Sequence, residues 1–179
     1  MSGPPKNNRI PRWVDPKKFA QQDVVLEGDI PPDAMPRLAE VIIDFESPIY
    51  AKLTFELDES RRRILTGSLS GTVNVKCQRC LEAMPLAIKT DLNLAVVIND
   101  DQAKQLPRQL EPWLIDKDAS EVDLHSVLED ELLLCVPMVA YHEEACIESA
   151  LYSSHSNSEE MPSKKPSPFE MLGQLKTKK

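Results

Sequence analysis

Residues 48–59, "PIYAKLTFELDE", set Tyr50, Lys52, Thr54 and Glu56 in alternation with Ala51, Leu53, Phe55 and Leu57. Successive side chains of an extended chain point to opposite faces, so a period of two with one apolar set marks a strand with a dry face and a wet one. Upstream, "AEVIIDFES" (39–47) begins the apolar patterning. Downstream, "RRRILTGSLSGTVNVKC" (61–77) carries Ile64 to Leu69, then Gly71, then Thr72, Val73 and Val75, which reads as two strands or as one strand bent at glycine. "MPLAIKTDLNLAVVIND" (84–100) alternates at Leu86, Ile88, Leu92 and Leu94 and ends in a turn. These pieces predict an antiparallel β-sheet of four or five strands, open or partly closed into a barrel. The arginine run 61–63 reads as a solvated strand start, against the alternative of a binding patch.

Beyond the sheet, "LPRQLEPWLIDKDASE" (106–121) is rich in proline and charge and reads as a long surface loop. In "SEVDLHSVLEDELLLCVP" (120–137) the period changes. Val122, Leu124, Val127, Leu128, Glu131, Leu132 and Cys135 recur at intervals of three and four, the spacing of one helix face. Ser120 or Asp123 can cap this helix and Pro137 can end it. The expected class is therefore α+β, with one main helix packed on the sheet. On that helix Glu129, Asp130 and Glu131 read as a solvated acidic face rather than as acid/base catalysts. His125 reads as a surface residue rather than a ligand, since no second histidine lies four residues away.

Composition bounds the partners. The chain has 179 residues and a net charge of −8. Its first 20 residues hold five basic side chains against Asp15, and residues 161–179 hold five lysines against Glu170. The remainder is strongly acidic and would be repelled by nucleic acid except through a local basic patch or through the ends. We expect a basic amino-terminal arm at 1–20, a single α+β domain at 21–152, a disordered serine-rich linker at 153–165 and a basic carboxy-terminal motif at 166–179. In that motif Phe169, Leu172 and Leu175 share one helical face, with Lys176 following, the pattern of a segment that docks on a partner or packs back on its own domain. With no apolar run of about 18 residues and no apolar core in the amino terminus, the expected setting is cytoplasmic, without membrane or small-molecule substrate.

Four cysteines in such a setting do not suggest disulfides. Cys77 and Cys80, in "VKCQRCLE" (75–82), admit three readings: a redox pair, half of a metal site, or reduced core thiols. A redox pair of the thioredoxin kind sits at the start of a helix, whereas this pair lies between strand patterns. A zinc knuckle needs two more thiolate or imidazole ligands, and "YHEEAC" (141–146) offers His142 and Cys146. The candidate set is Cys77, Cys80, His142 and Cys146 around one structural zinc, across a long gap in sequence.

"VKCQRCLEAM" (75–84), "VDLHSVLEDELLLCVPMVAYHEEAC" (122–146) and "KPSPFEMLGQLK" (165–176) occur in that order, and together they resemble the bacterial YceD family, the large ribosomal RNA subunit accumulation proteins. The resemblance runs from about Ala39 onward. It implies a non-enzymatic ribosome biogenesis role in the synthesis, processing or stability of large-subunit (23S) ribosomal RNA. The implied partner is the RNA precursor or a basic large-subunit ribosomal protein. The positions it carries over are Cys77, Arg79 and Cys80 in the knuckle, Glu129, Asp130, Glu131 and Pro137 around the helix exit, and Pro168, Phe169, Leu172 and Leu175 in the tail. Some relatives place further cysteine pairs after the helix, where this chain has only His142 and Cys146. The alternative function is a thiol-based redox protein using Cys77 and Cys80.

Overall fold

The structure is a computed structural model that describes residues 9–147. The linker at 153–165 and the motif at 166–179, with Phe169, Leu172, Leu175 and Lys176, lie outside the described residues.

The described elements run β1 (Trp13–Val14), α1 (Pro16–Gln21), β2 (Val25–Ile30), α2 (Pro36–Val41), β3 (Asp44–Phe45), β4 (Ile49–Leu57), β5 (Arg63–Lys76), β6 (Ala83–Val97), α3 (Asp100–Lys104), β7 (Glu111–Leu114), β8 (Val122–Asp123) and α4 (Leu124–Cys135). The main sheet has the order β2-β4-β5-β6-β7, with β3 pairing the far end of β5. All of its pairs are antiparallel except β6 with β7. β1 and β8 form a separate two-stranded ribbon. The fold is α+β with an open sheet and one main helix, as the periodicities require.

In β4 the alternation is realised directly: Ile49, Ala51, Leu53 and Phe55 are buried while Tyr50 and Lys52 are exposed. The piece 61–77 forms one strand rather than two. Leu65, Leu69, Val73 and Val75 are buried, and Gly67 and Gly71 occupy odd positions of the same series. A Cβ at Gly67 would lie 2.1 Å from the carbonyl oxygen of Lys52, so a side chain there would push the neighbouring backbone away. Continuing the odd series past the strand end reaches Cys77, which is fully buried. The register of the sheet thus assigns the first cysteine to the core before the knuckle turn begins.

Helix α4 starts at Asp123, whose side chain accepts the Ser126 N–H at 3.2 Å. Arg12 holds the same carboxylate through Nε at 3.0 Å and its terminal nitrogen at 2.9 Å, tying the ribbon to the helix start. Leu124, Leu128 and Leu132 are fully buried, each worth about 1.5 to 3 kcal/mol of burial. The helix lies against β6, β1 and α2.

Four expectations change. Residues 106–121 are not all loop, because β7 pairs in parallel with β6 and buries Trp113 and Ile115. Proline and charge hid a four-residue strand whose partner is close in sequence but parallel. His125 is buried, with Nε2 at 3.0 Å from the carbonyl of Ile10. Glu129 is buried rather than solvated, while its neighbour Asp130 is exposed. Residues 9–20, read as part of a basic arm, enter the core through Ile10, Val14 and Ala20. Its basic side chains bond at the surface, Arg12 to Asp123 and Lys17 to the carbonyls of Lys117 and Ala119, so its charge masked its apolar positions.

Candidate metal centre

The hairpin joining β5 to β6 closes at Cys77, whose N–H donates to the Glu82 carbonyl at 2.9 Å, while Leu81 N–H donates to the Cys77 carbonyl at 2.9 Å. Arg79 N–H points at Cys77 Sγ, 3.4 Å away. This is a tight turn in which backbone amides face a sulfur. Leu81 completes it with a left-handed φ of 67°, a region that favours glycine. Leu81 is largely exposed, so Leu81→Gly should relieve strain at little packing cost. The expected gain is about 0.5 kcal/mol after the entropy that glycine adds to the unfolded chain, read as a higher denaturant midpoint.

The second pair of candidate ligands arrives from beyond the end of α4. The chain leaves the helix at Val136 in extended conformation, turns at Pro137, and passes Ala140, whose carbonyl accepts Gln78 N–H at 2.8 Å. That bond registers the returning segment on the knuckle. It brings His142 Nδ1 to 3.4 Å from Cys80 Sγ and Cys146 Sγ to 3.8 Å from Cys77 Sγ. One donor atom from each of Cys77, Cys80, His142 and Cys146 lies within 4.8 Å of the others. The four residues expected from sequence are together, and they could hold a metal ion. Cys135, the fourth cysteine, stands apart with Sγ on the Glu131 carbonyl at 3.3 Å.

Arg79 braces this cluster. Its Nε lies 3.1 Å from Cys146 Sγ, and one terminal nitrogen donates to the carbonyls of His142 at 2.9 Å and Glu144 at 2.6 Å. Its guanidinium also lies 5.8 Å from the centre of the Tyr141 ring. One cation therefore touches the Cys146 sulfur and fixes the backbone of the segment that carries His142 and Cys146.

The electrostatics favour thiolates. Burial pushes the Cys77 thiol up, but hydrogen bonds from the backbone N–H groups of Cys80, His142 and Arg79 outweigh it and bring the pKa to about 5. Cys146 is also lowered, against burial, by hydrogen bonds with Arg79 and His142. In Cys80 the Glu82 N–H lowers the pKa, yet burial and the sulfurs of Cys146 and Cys77 leave it raised. Hydrogen bonds to Cys146 and Cys77 raise His142. A third negative sulfur, on Cys80, is thus resisted unless a cation joins the cluster.

Of two connected residues, Arg37 escaped the sequence reading and Glu129 was read as part of a solvated face. Glu129 accepts Leu38 N–H at 2.9 Å and Arg37 Nε at 2.9 Å, and Arg37 reaches Asp130 at 2.5 Å and the Ser126 carbonyl at 2.9 Å. These bonds hold Arg37 well inside its protonated range. His125, Glu129 and Leu132 stand at i, i+4 and i+7, a helical spacing that could have marked Glu129 as inward-facing.

Residues 65–176 match the sequence model of the family described as Large ribosomal RNA subunit accumulation protein YceD. Over 171 residues the chain is 33% identical to a Haemophilus influenzae protein named Large ribosomal RNA subunit accumulation protein YceD, covering 95% of this chain and 98% of that one. No solved structure matches the chain. A family match over more than half the sequence, with a near full-length relative, makes the assignment direct: this chain belongs to the YceD family.

Proposed function

We propose that the protein is a non-enzymatic, cytoplasmic ribosome biogenesis factor that supports large-subunit ribosomal RNA, and that one structural zinc ion pins its β5–β6 knuckle to the segment after α4. The convergence of Cys77, Cys80, His142 and Cys146 carries this reading. Tetrahedral zinc with Zn–S of about 2.3 Å and Zn–N of about 2.0 Å requires S···S edges near 3.8 Å and S···N edges near 3.5 Å. Two edges of the cluster, Cys77 Sγ to Cys146 Sγ at 3.8 Å and Cys80 Sγ to His142 Nδ1 at 3.4 Å, have these lengths. Three thiolates and a neutral imidazole around Zn²⁺ would leave one excess negative charge, which Arg79 is positioned to offset.

The redox alternative has less support. The cysteine pair lies in a β-hairpin turn, not at a helix start, and Cys77 is closed to solvent. The relative is named for accumulation of an RNA, not for a reaction. Among the described residues no helix is long and apolar enough to cross a membrane.

The tail belongs to the same reading. The family match extends to residue 176, through Phe169, Leu172, Leu175 and Lys176, which supports a role for them in binding a partner. Deleting residues 166–179 should weaken association with large-subunit precursors in cell fractionation and leave the melting temperature unchanged. A melting temperature lowered by several degrees would assign the stripe to the domain core instead.

A further inference from the structure

At the end of the sheet away from the knuckle, β4 and β5 are joined by a turn that is organised by one carboxylate. Asp58 N–H donates to the Arg62 carbonyl at 2.9 Å, Arg61 N–H to the Asp58 carbonyl at 2.8 Å, and Arg62 N–H to Asp58 Oδ1 at 2.8 Å. Arg61 takes a left-handed φ of 59° at the turn. Asp58 also accepts Arg62 Nε at 2.6 Å, so this acid neutralises Arg62 and no other arginine of the run. Among the described residues Arg61 and Arg63 have no ion pair. Arg63 Nε is shielded from solvent and meets no acceptor.

The three arginines line a cleft of about 370 Å³ together with Val96, Gln102, Gln105 and Leu106. That volume lies in the range of small-ligand sites, about 300 to 1,000 Å³. No carboxylate lines the cleft, although the chain as a whole is acidic. Gln102 Oε1 accepts Ile98 N–H at 3.0 Å, which leaves its amide NH₂ to donate elsewhere. The cleft therefore offers the guanidinium groups of Arg61 and Arg63, which no carboxylate meets, beside two amides and the apolar side chains of Val96 and Leu106.

We infer that this cleft binds one unpaired nucleotide of a single-stranded RNA segment. The phosphate lies on Arg61 and Arg63, and the base lies against Val96 and Leu106 within reach of Gln102 and Gln105. The inference rests on RNA, rather than a ribosomal protein, being the direct partner. Arginine forks match phosphate oxygens in pairs, and amides beside an apolar wall match the edge and face of a base. An acidic peptide would use the arginines and leave the amides and the wall idle. The nucleotide must be unpaired, because in an A-form duplex the base faces are stacked and the major-groove edges lie in a deep, narrow groove. A single strand can also enter locally, whereas a duplex would run on across acidic surface.

The test is fluorescence anisotropy with the full chain and a labelled 12-nucleotide single-stranded RNA of mixed sequence, with salt varied. Arg61→Gln combined with Arg63→Gln keeps the Asp58–Arg62 bond of the turn. It should weaken binding by about tenfold or more and reduce the salt slope by roughly 0.7, the value for one phosphate of a single strand that is no longer neutralised. Gln105→Glu, at an exposed position that cannot unfold the sheet, should weaken binding as well, by placing a carboxylate at the cleft. Native affinity and slope in all variants would overturn the cleft while leaving RNA as partner. No binding by the native chain would overturn both. An unlabelled duplex that competes as well as the single strand, or hexa-aspartate that does so, would overturn the unpaired nucleotide as occupant.

Discussion

Purified Cys77→Ser protein is expected to hold less than about a tenth of the zinc of the native chain and to melt roughly 10 °C lower. Cys77 is the innermost of the four candidate ligands, fully buried at the end of β5, and three backbone amides are arranged around its sulfur. Serine keeps the size but not a stable anion, so those amides would face a neutral hydroxyl and the metal would lose its best-held donor. Because ligands of a structural zinc converge only in the folded chain, the binding energy is folding energy. Each kcal/mol lost lowers the melting temperature of a chain this size by about 2 to 4 °C. Acid should act in the same direction. The folded-state pKa of Cys77, about 5, lies below that of an unfolded thiol. Its contribution is therefore complete above the unfolded value and is lost as pH falls through about 5. Zinc content by atomic absorption and melting by calorimetry on the same preparations decide the matter. Metal-free native protein that melts like Cys77→Ser would sink the zinc reading. Arg79→Gln should lower zinc affinity without abolishing it, since the four ligands remain while the charge beside Cys146 is gone.

The sheet was legible because its strands are wet on one face: the period of two at 49–57 and again along the odd positions 65–75 needs no tertiary knowledge to read. The knuckle was legible for a related reason. Cys77 continues the inward series of β5, and the ligand spacing of C-x-x-C and H-x-x-x-C is local at each end. What local pattern could not supply was the crossing of the 61 residues between Cys80 and His142. That distance is closed by α4 and by one backbone bond, Gln78 to Ala140, neither of which has a sequence signature at the cysteines. β7 was missed because proline and charge at 106–121 outweigh its four extended residues, and because parallel pairing leaves no tight hairpin turn to find. Glu129 was missed because an acidic triplet on a helix is usually solvated. Only its partners on α2, about 90 residues away in sequence, convert that position into a buried acceptor.

Glu129→Ala is the second large effect expected. The native carboxylate is buried and carries two hydrogen bonds, from Leu38 N–H in α2 and from Arg37 Nε, each at 2.9 Å. Truncation leaves the Leu38 amide without its acceptor, at a cost of about 1 to 3 kcal/mol. The Arg37 contact adds less, about 0 to 1 kcal/mol, since that guanidinium is half exposed and retains Asp130. Together these lower the melting temperature by roughly 5 to 10 °C. Glu129→Gln separates the two contributions, because an amide oxygen can still accept from Leu38 while the charge toward Arg37 is lost. That variant should lose only about 1 kcal/mol. Zinc content tests what the clamp is for. The bonds to Glu129 join α2 to the middle of α4, about two turns before the exit at Val136, while the knuckle is joined to the chain beyond Pro137. The two linkages share no residue, so Glu129→Ala should melt early with its zinc complement intact. A variant that loses both together would mean that the orientation of α4 delivers His142 and Cys146, and that the clamp belongs to the metal centre.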